Sequence, residues 1–221
     1  MEILRQYDQV LVKQKVSLSE ILCDIELNNK YQILNERGEQ ILFAQEDTNC
    51  CNRYWCGPGR NFKMYFTDNN GHEILKLKRP LRCLAGCGCT DCCLDELNVE
   101  ANGHHIGRVK EIYHYCYADF EILDENDRKI LSINGGNECM CPCNWKCQFK
   151  DIKFSIIGSD EVTEVGCITK VWRSVGTELF SDADSYLVQF PIDMDVKTKS
   201  LILASAILMD FKYFETRKND N

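Results

Sequence analysis

The 221-residue sequence lacks the features that most directly declare a function. It has no HExxH pair, no glycine-rich phosphate loop and no visible nucleophile–histidine–acid arrangement, so no covalent catalysis is expected. Its neighbouring histidines, His104 and His105, fall beside an Asn-Gly turn and read as solvated. Positive charge is scarce. Lys and Arg number 26 against 34 Asp and Glu, a formal net charge of −8. That balance excludes general nucleic-acid affinity. It also predicts repulsion from anionic lipid unless calcium or acyl chains intervene. "CITKVWR", with Lys170 and Arg173 beside Trp172, is too sparse for a nucleic-acid patch. "MEILRQYDQV" shows no basic stretch followed by an apolar run, so no secretory leader is expected. No apolar run reaches the roughly 20 residues of a membrane-spanning helix.

Against these absences stands an abundance of cysteine, 15 in all. Most fall in three clusters: Cys50, Cys51 and Cys56; then Cys83, Cys87, Cys89, Cys92 and Cys93; then Cys139, Cys141, Cys143 and Cys147. The count is odd, and nothing in the sequence directs the chain to an oxidising compartment, so a disulfide framework is not expected. Reduced thiols, metal thiolates and fatty-acyl thioesters remain open.

The recurring unit is a β-hairpin. "YQILNERGEQILFA" turns at Asn35–Gly38, and "FKMYFTDNNGHEILKLK" turns at Asp68–Gly71. "LNVEANGHHIGRVKEI" turns at Asn102-Gly103, "FEILDENDRKILSI" near Glu125–Asp127, and "KFSIIGSDEVTEVGCITKVW" at Gly158–Glu161. Five hairpins give ten strands, and the N-terminal segment and "SYLVQF" supply two more. Even spacing of so many strands predicts one all-β domain over residues 1–221, a closed barrel or a sandwich. Two hairpins, beginning at Tyr31 and Phe120, are each followed by a cysteine loop with a tryptophan near its end. Internal duplication and the self-similarity of any meander both account for that. In an up-and-down order the tight turns share one pole and the longer connections share the other. All three cysteine clusters lie in such connections.

The segment "SLILASAILMDFKYF" has no period-2 alternation. From Leu201 to Met209 only Ser205 interrupts the apolar or small residues, Asp210 ends the run, and Lys197 and Lys199 precede it. Its residues favour helix, and a helix apolar on every side must be buried, in a core or in lipid. A barrel of about twelve strands leaves a central hole too wide for side chains alone. A helix at about 197–214 is therefore expected to plug it.

Before the helix, "DADSYLVQFPIDMD" places Asp182, Asp184 and Asp193 at relative positions one, three and twelve, as in a calcium loop. The match is poor in between: Tyr186 stands at position five, Leu187 where glycine is needed, and Val188 at position seven. Tyr186–Phe190 is expected as a strand with acidic turns at its ends, and Asp195 as a cap of the following helix. Weak calcium binding by the flanking carboxylates is compatible with that.

Read together, "NNKYQILN", "FAQEDTNCCNRYWCGPGR", "DNNGHEILKLKRPLRC", "SDADSYLVQFPIDMDVK" and the C-terminal "MDFKYFE" resemble the phospholipid scramblase family, over about residues 5–216. The resemblance implies a tubby-like fold, a twelve-stranded antiparallel barrel around a hydrophobic C-terminal helix. It implies calcium-dependent, ATP-independent movement or binding of phospholipids without covalent chemistry, at the cytoplasmic face of a membrane, the plasma membrane above all. Calcium would fall on Asp182, Asp184, Tyr186, Val188, Phe190 and Asp193. Acylation would fall on Cys87, Cys89, Cys92 and Cys93, here interrupted by Gly88, Thr90 and Asp91. The proline-rich N-terminal region of larger members has no counterpart in the sequence.

A metal is the other use for the clustered thiols. If strand parity brings the loops together, Cys87 and Cys89 with Cys139 and Cys141 could give zinc its four thiolates, leaving Cys92 and Cys93 for acyl chains. The alternative to a membrane protein is a soluble tubby-like adaptor module stapled by such a zinc site.

Overall fold

The computed structural model describes residues 1–15, 28–49, 56, 59–81, 94–114, 117–135, 151–171 and 185–214. Twelve strands form one closed antiparallel barrel. They are β1 (Gln9–Lys15), β2 (Lys30–Leu34), β3 (Gln40–Asp47), β4 (Phe62–Thr67), β5 (Glu73–Arg79) and β6 (Glu96–Ala101), then β7 (His104–Ile112), β8 (Asp119–Asp124), β9 (Lys129–Asn134), β10 (Ile152–Ile157), β11 (Glu164–Val171) and β12 (Ser185–Gln189). Each strand pairs with its neighbour in sequence. β1 closes the ring against β12, from Gln9 opposite Gln189 to Lys13 opposite Ser185. The order is up-and-down throughout, so the five expected hairpins and the two added strands are all present.

Alternation sets the two faces of the wall. In β4, Phe62, Met64 and Phe66 are buried, while Lys63 is exposed and Tyr65 and Thr67 are half-buried. The same period of two runs through β1 and β6, as expected for strands with one face on a core.

Four of the five hairpin turns use one device. Asn35, Asp68, Asp124 and Asp160 each accept, at a side-chain oxygen, the backbone N–H two residues on. Such Asx turns pre-form the reversal. Accepted hydrogen bonds, first that from the His72 N–H to Asp68, from the Arg128 N–H to Asp124 and from the Thr163 hydroxyl to Asp160, hold these carboxyls below the usual aspartate value of 3.8. The fifth turn, Asn102-Gly103, has positive φ at both residues, +50° and +77°, the pattern of a type I′ hairpin turn. These turns gather at one end of the barrel, here the turn pole. The connections holding the cysteine clusters leave from the opposite end, the loop pole.

The helix α1 (Val196–Met209) runs inside the barrel and continues as a π-helical turn, Asp210–Phe214. Asp195 caps it, as expected, accepting the Thr198 N–H at 3.1 Å. Every residue from Lys199 to Phe211 is buried. Ser200 and Ser205 satisfy their hydroxyls inside the helix, on the carbonyls of Val196 and Leu201. The wall packs tightly against the helix at Gly107, φ +148°. A Cβ there would lie 2.3 Å from the Leu123 carbonyl and 2.9 Å from Leu201 Cδ1. Only glycine lets β7 approach the helix this closely. Among the described residues no helix is long and apolar enough to cross a membrane.

Candidate functional site

β12 carries the middle of the expected calcium segment. Its backbone is paired on both sides, with β1 and with β11. Tyr186, Val188 and Phe190 are buried in the core. Asp193 is exposed in the turn that leads to α1. Asp182 and Asp184 lie outside the described residues. Ser185 opens β12 and Asp193 lies past its other end, so a strand roughly 17 Å long separates them. The structure therefore brings Tyr186, Val188 and Phe190 together as core side chains, and leaves Asp193 in solvent at the turn pole.

At the loop pole, strand ends converge on the last turn of the axial helix. Glu46, at the end of β3, takes a forked pair of bonds from Arg60, 3.0 and 3.3 Å, and both side chains are buried. Arg79, at the end of β5, donates to Asp95 at 2.6 and 3.0 Å and to the Arg60 carbonyl at 3.3 Å. Asp95 and Glu111 both face Lys212 of the π-turn, at 3.1 and 3.2 Å. Three buried carboxylates thus meet three cations. Burial works against the charge on Lys212, but Asp95 and Glu111 outweigh it and raise its pKa. Tyr213 donates to Glu111 at 2.9 Å. Burial first, and Glu111 second, push its hydroxyl well above the ordinary 10.0.

The π-turn is clamped residue by residue. Asp210 accepts from Tyr31 at 2.5 Å and from Tyr186 at 2.7 Å. Lys170 lies 3.4 Å from the Tyr186 hydroxyl and over the Phe214 ring. Phe211 stacks on Phe62, ring centroids 4.2 Å apart, with the Arg60 guanidinium over it. At the turn pole Lys199 donates to the carbonyls of Tyr7 (2.6 Å), Ile192 (2.9 Å) and Leu4 (3.3 Å), and burial lowers its pKa. The apolar helix is thereby tied at both ends by polar contacts, and its buried surroundings close the barrel axis to a lipid headgroup.

Sequence reading missed these ties. It took Asp210 as the end of an apolar run and Lys199 as a flank. The available signal was an isolated charge within a segment otherwise fit only for burial, since such a charge must find partners.

The acylation candidates Cys87, Cys89, Cys92 and Cys93, and the zinc candidates Cys87, Cys89, Cys139 and Cys141, lie outside the described residues. Strands flanking their loops do end at one pole, as strand parity required. Cys56 and Cys167 are described, and both are free thiols. Among the described residues no group of three or more His, Cys, Asp and Glu is arranged to hold a metal ion.

A closed twelve-stranded barrel threaded by its own C-terminal helix defines the class of protein. The sequence model of the Scramblase family matches residues 1–216. Phospholipid scramblase 2 of Bos taurus is 41% identical over 222 residues, all of this chain and 73% of that protein. Phospholipid scramblase 1 of Homo sapiens is 42% identical, over 98% of this chain and 66% of its own length. Human phospholipid scramblase family member 5 is 34% identical, over 97% of this chain and 77% of its own. The chain spans about two thirds to three quarters of these relatives. No solved structure matches it. The chain belongs to the scramblase family.

Proposed function

We propose that the protein moves phospholipids between membrane leaflets, or binds them, in response to calcium, without ATP and without covalent chemistry. The observation that carries this reading is the family match over nearly the whole chain, to relatives named phospholipid scramblases. The work would be done at the cytoplasmic face of a membrane, the plasma membrane first among candidates. Fatty-acyl thioesters on Cys87, Cys89, Cys92 and Cys93 would hold it there, two or more chains being needed for stable anchoring. Reconstitution into vesicles holding a fluorescent phospholipid, with quencher added outside, tests the activity. Calcium-dependent loss of inner-leaflet signal supports the reading, and protection equal to that of empty vesicles overturns it.

Calcium is assigned to Asp182, Asp184 and Asp193, around Tyr186, Val188 and Phe190. In the closed barrel, Tyr186, Val188 and Phe190 face the core and the β12 backbone is committed to its ladders. One ion joining both ends of the segment would require β12 to leave β1 and β11. Binding without that rearrangement rests on the carboxylates alone and belongs at the weak, high-micromolar to millimolar end. Titration calorimetry should show weak calcium binding that Asp182→Ala reduces. Identical isotherms for the two proteins would remove the assignment.

The filled barrel axis favours a second reading, a tubby-like adaptor that moves no lipid and is stapled by zinc on Cys87, Cys89, Cys139 and Cys141. Two measurements separate the uses of the thiols. Membrane-bound protein released by hydroxylamine carries thioesters. Elemental analysis of protein purified without added metal should give about one zinc per chain if the tetrahedral site exists. Less than about a tenth of an equivalent against that single site leaves thioesters or plain thiols.

A further inference from the structure

We propose that the outer face of β1–β5 is a docking surface for an anionic lipid bilayer. The proposal rests on the reading that the protein works at membranes, and it names the side of the barrel that meets the lipid.

The observation is an uneven distribution of charge around the wall. Register lines up Lys15, Lys30, Gln45, Tyr65 and Lys76 across five neighbouring strands. Within that row Lys15 stands directly opposite Lys30, and one step toward the loop pole Lys63 stands directly opposite Lys78. Like charges directly opposed on a sheet are destabilising. A chain with eight more acidic than basic residues places two such pairs on one face.

Elsewhere several outward lysines are neutralised. Lys129 bonds Glu161 at 2.8 Å, Lys153 bonds Glu164 at 2.7 Å and Lys197 bonds Glu125 at 2.7 Å. On β1–β5, Lys78 pairs with Glu100 of β6. Lys15, Lys30 and Lys63 are exposed, and no described carboxylate pairs with them. Lys76 lies over the Tyr65 ring at 5.2 Å and likewise makes no ion pair with a described residue. The outward carboxylates of these strands are Asp47, opposite Lys63, and Glu73, at the turn end of β5.

Between these lysines the wall is aromatic. Phe43 and Tyr65 are half-buried on the outer face and line a groove of about 300 Å³ with Asn28, Gln45, Glu46, Asp47 and Thr67. Amphipathic rings beside flexible ammonium groups suit the headgroup layer of a bilayer. The outward cations of these strands are all lysines, whereas the arginines nearby, Arg60 and Arg79, are buried in ion pairs. A bidentate fork for base edges is therefore absent from the described part of this face, which favours a lipid surface over nucleic acid.

The test is flotation of the full chain, produced without acylation and kept in chelator, with vesicles of phosphatidylcholine with or without phosphatidylserine. Wild type should bind the anionic vesicles, and less so at high salt. The triple variant Lys30→Gln/Lys63→Gln/Lys76→Gln should lose at least about tenfold in partitioning, at a factor of about five per lysine near an anionic surface. The triple variant Lys129→Gln/Lys153→Gln/Lys197→Gln removes the same charge from ion-paired positions and should lose less than about twofold, its lysines already being neutralised. Equal losses in the two triples, undiminished binding by the first, or equal affinity for duplex DNA at the same salt would overturn the proposal. Lipid translocation is measured in parallel in the same vesicles. Lysine-dependent docking without translocation supports this surface while removing the translocation reading.

Discussion

Leu203→Asp should give no folded protein. Leu203 is fully buried in α1, at the centre of the barrel. Losing the leucine alone, as in Leu203→Ala, should cost about 2–5 kcal/mol through lost transfer energy and the cavity left behind. A carboxyl group in that place finds no free donor: of the helix positions one turn away, Ala206 and Ile207 are apolar, while Lys199 and Ser200 already donate to backbone carbonyls. An unpaired buried carboxyl adds several kcal/mol more, even after it neutralises, which together consumes most of an ordinary domain's 5–15 kcal/mol. Soluble yield and near-ultraviolet circular dichroism check the first variant, and urea denaturation the second. A soluble Leu203→Asp protein with wild-type melting behaviour would show that α1 is not a core element.

Arg60→Leu comes next in size. It deprives Glu46, fully buried, of the forked pair of bonds from Arg60, while the Asn29 backbone N–H still donates to it. Removing one partner of a buried ion pair costs about 3–5 kcal/mol. For a chain of this length that lowers the melting temperature by roughly 10 °C. The double variant Glu46→Leu/Arg60→Leu should recover much of the loss, because replacing both ions with apolar side chains is near neutral. Equal destabilisation in the single and double variants would mean that Arg60 acts through its stacking on Phe211 rather than through its charge.

These two variants probe parts of the structure that were unequally visible in the sequence. The wall could be read because each strand carries its own signal. Phe62, Met64 and Phe66 alternate with Lys63 and Tyr65, and Asp68-Asn69-Asn70-Gly71 can do little but turn. The plug could be read from length alone, since Leu201–Met209 is too apolar for solvent and too short for a bilayer. Tyr186–Phe190 declared itself a strand despite the carboxylates around it. The ties at the loop pole were illegible, because Asp210 meets Tyr31 across 179 residues and no local pattern marks such a partner. Lysine apposition was hidden for the same reason. Lys63 and Lys78 become neighbours only once the register of β4 on β5 is known. Of the proposed ligands, only Tyr186, Val188, Phe190 and Asp193 fall among the described residues.

Ring closure between β1 and β12 also dictates an order of events during synthesis. Gln9 waits for Gln189, 180 residues later, and α1 emerges after both. Until then eleven strands must stand with their inner faces uncovered and with two open edges, a state prone to pairing with other chains. Contacts this distant in sequence also slow the search itself. A nascent chain of this protein is therefore most exposed to aggregation just before β12 and α1 arrive. Because α1 follows all twelve strands, a ribosome that stalls before it releases a chain with nothing to fill its centre.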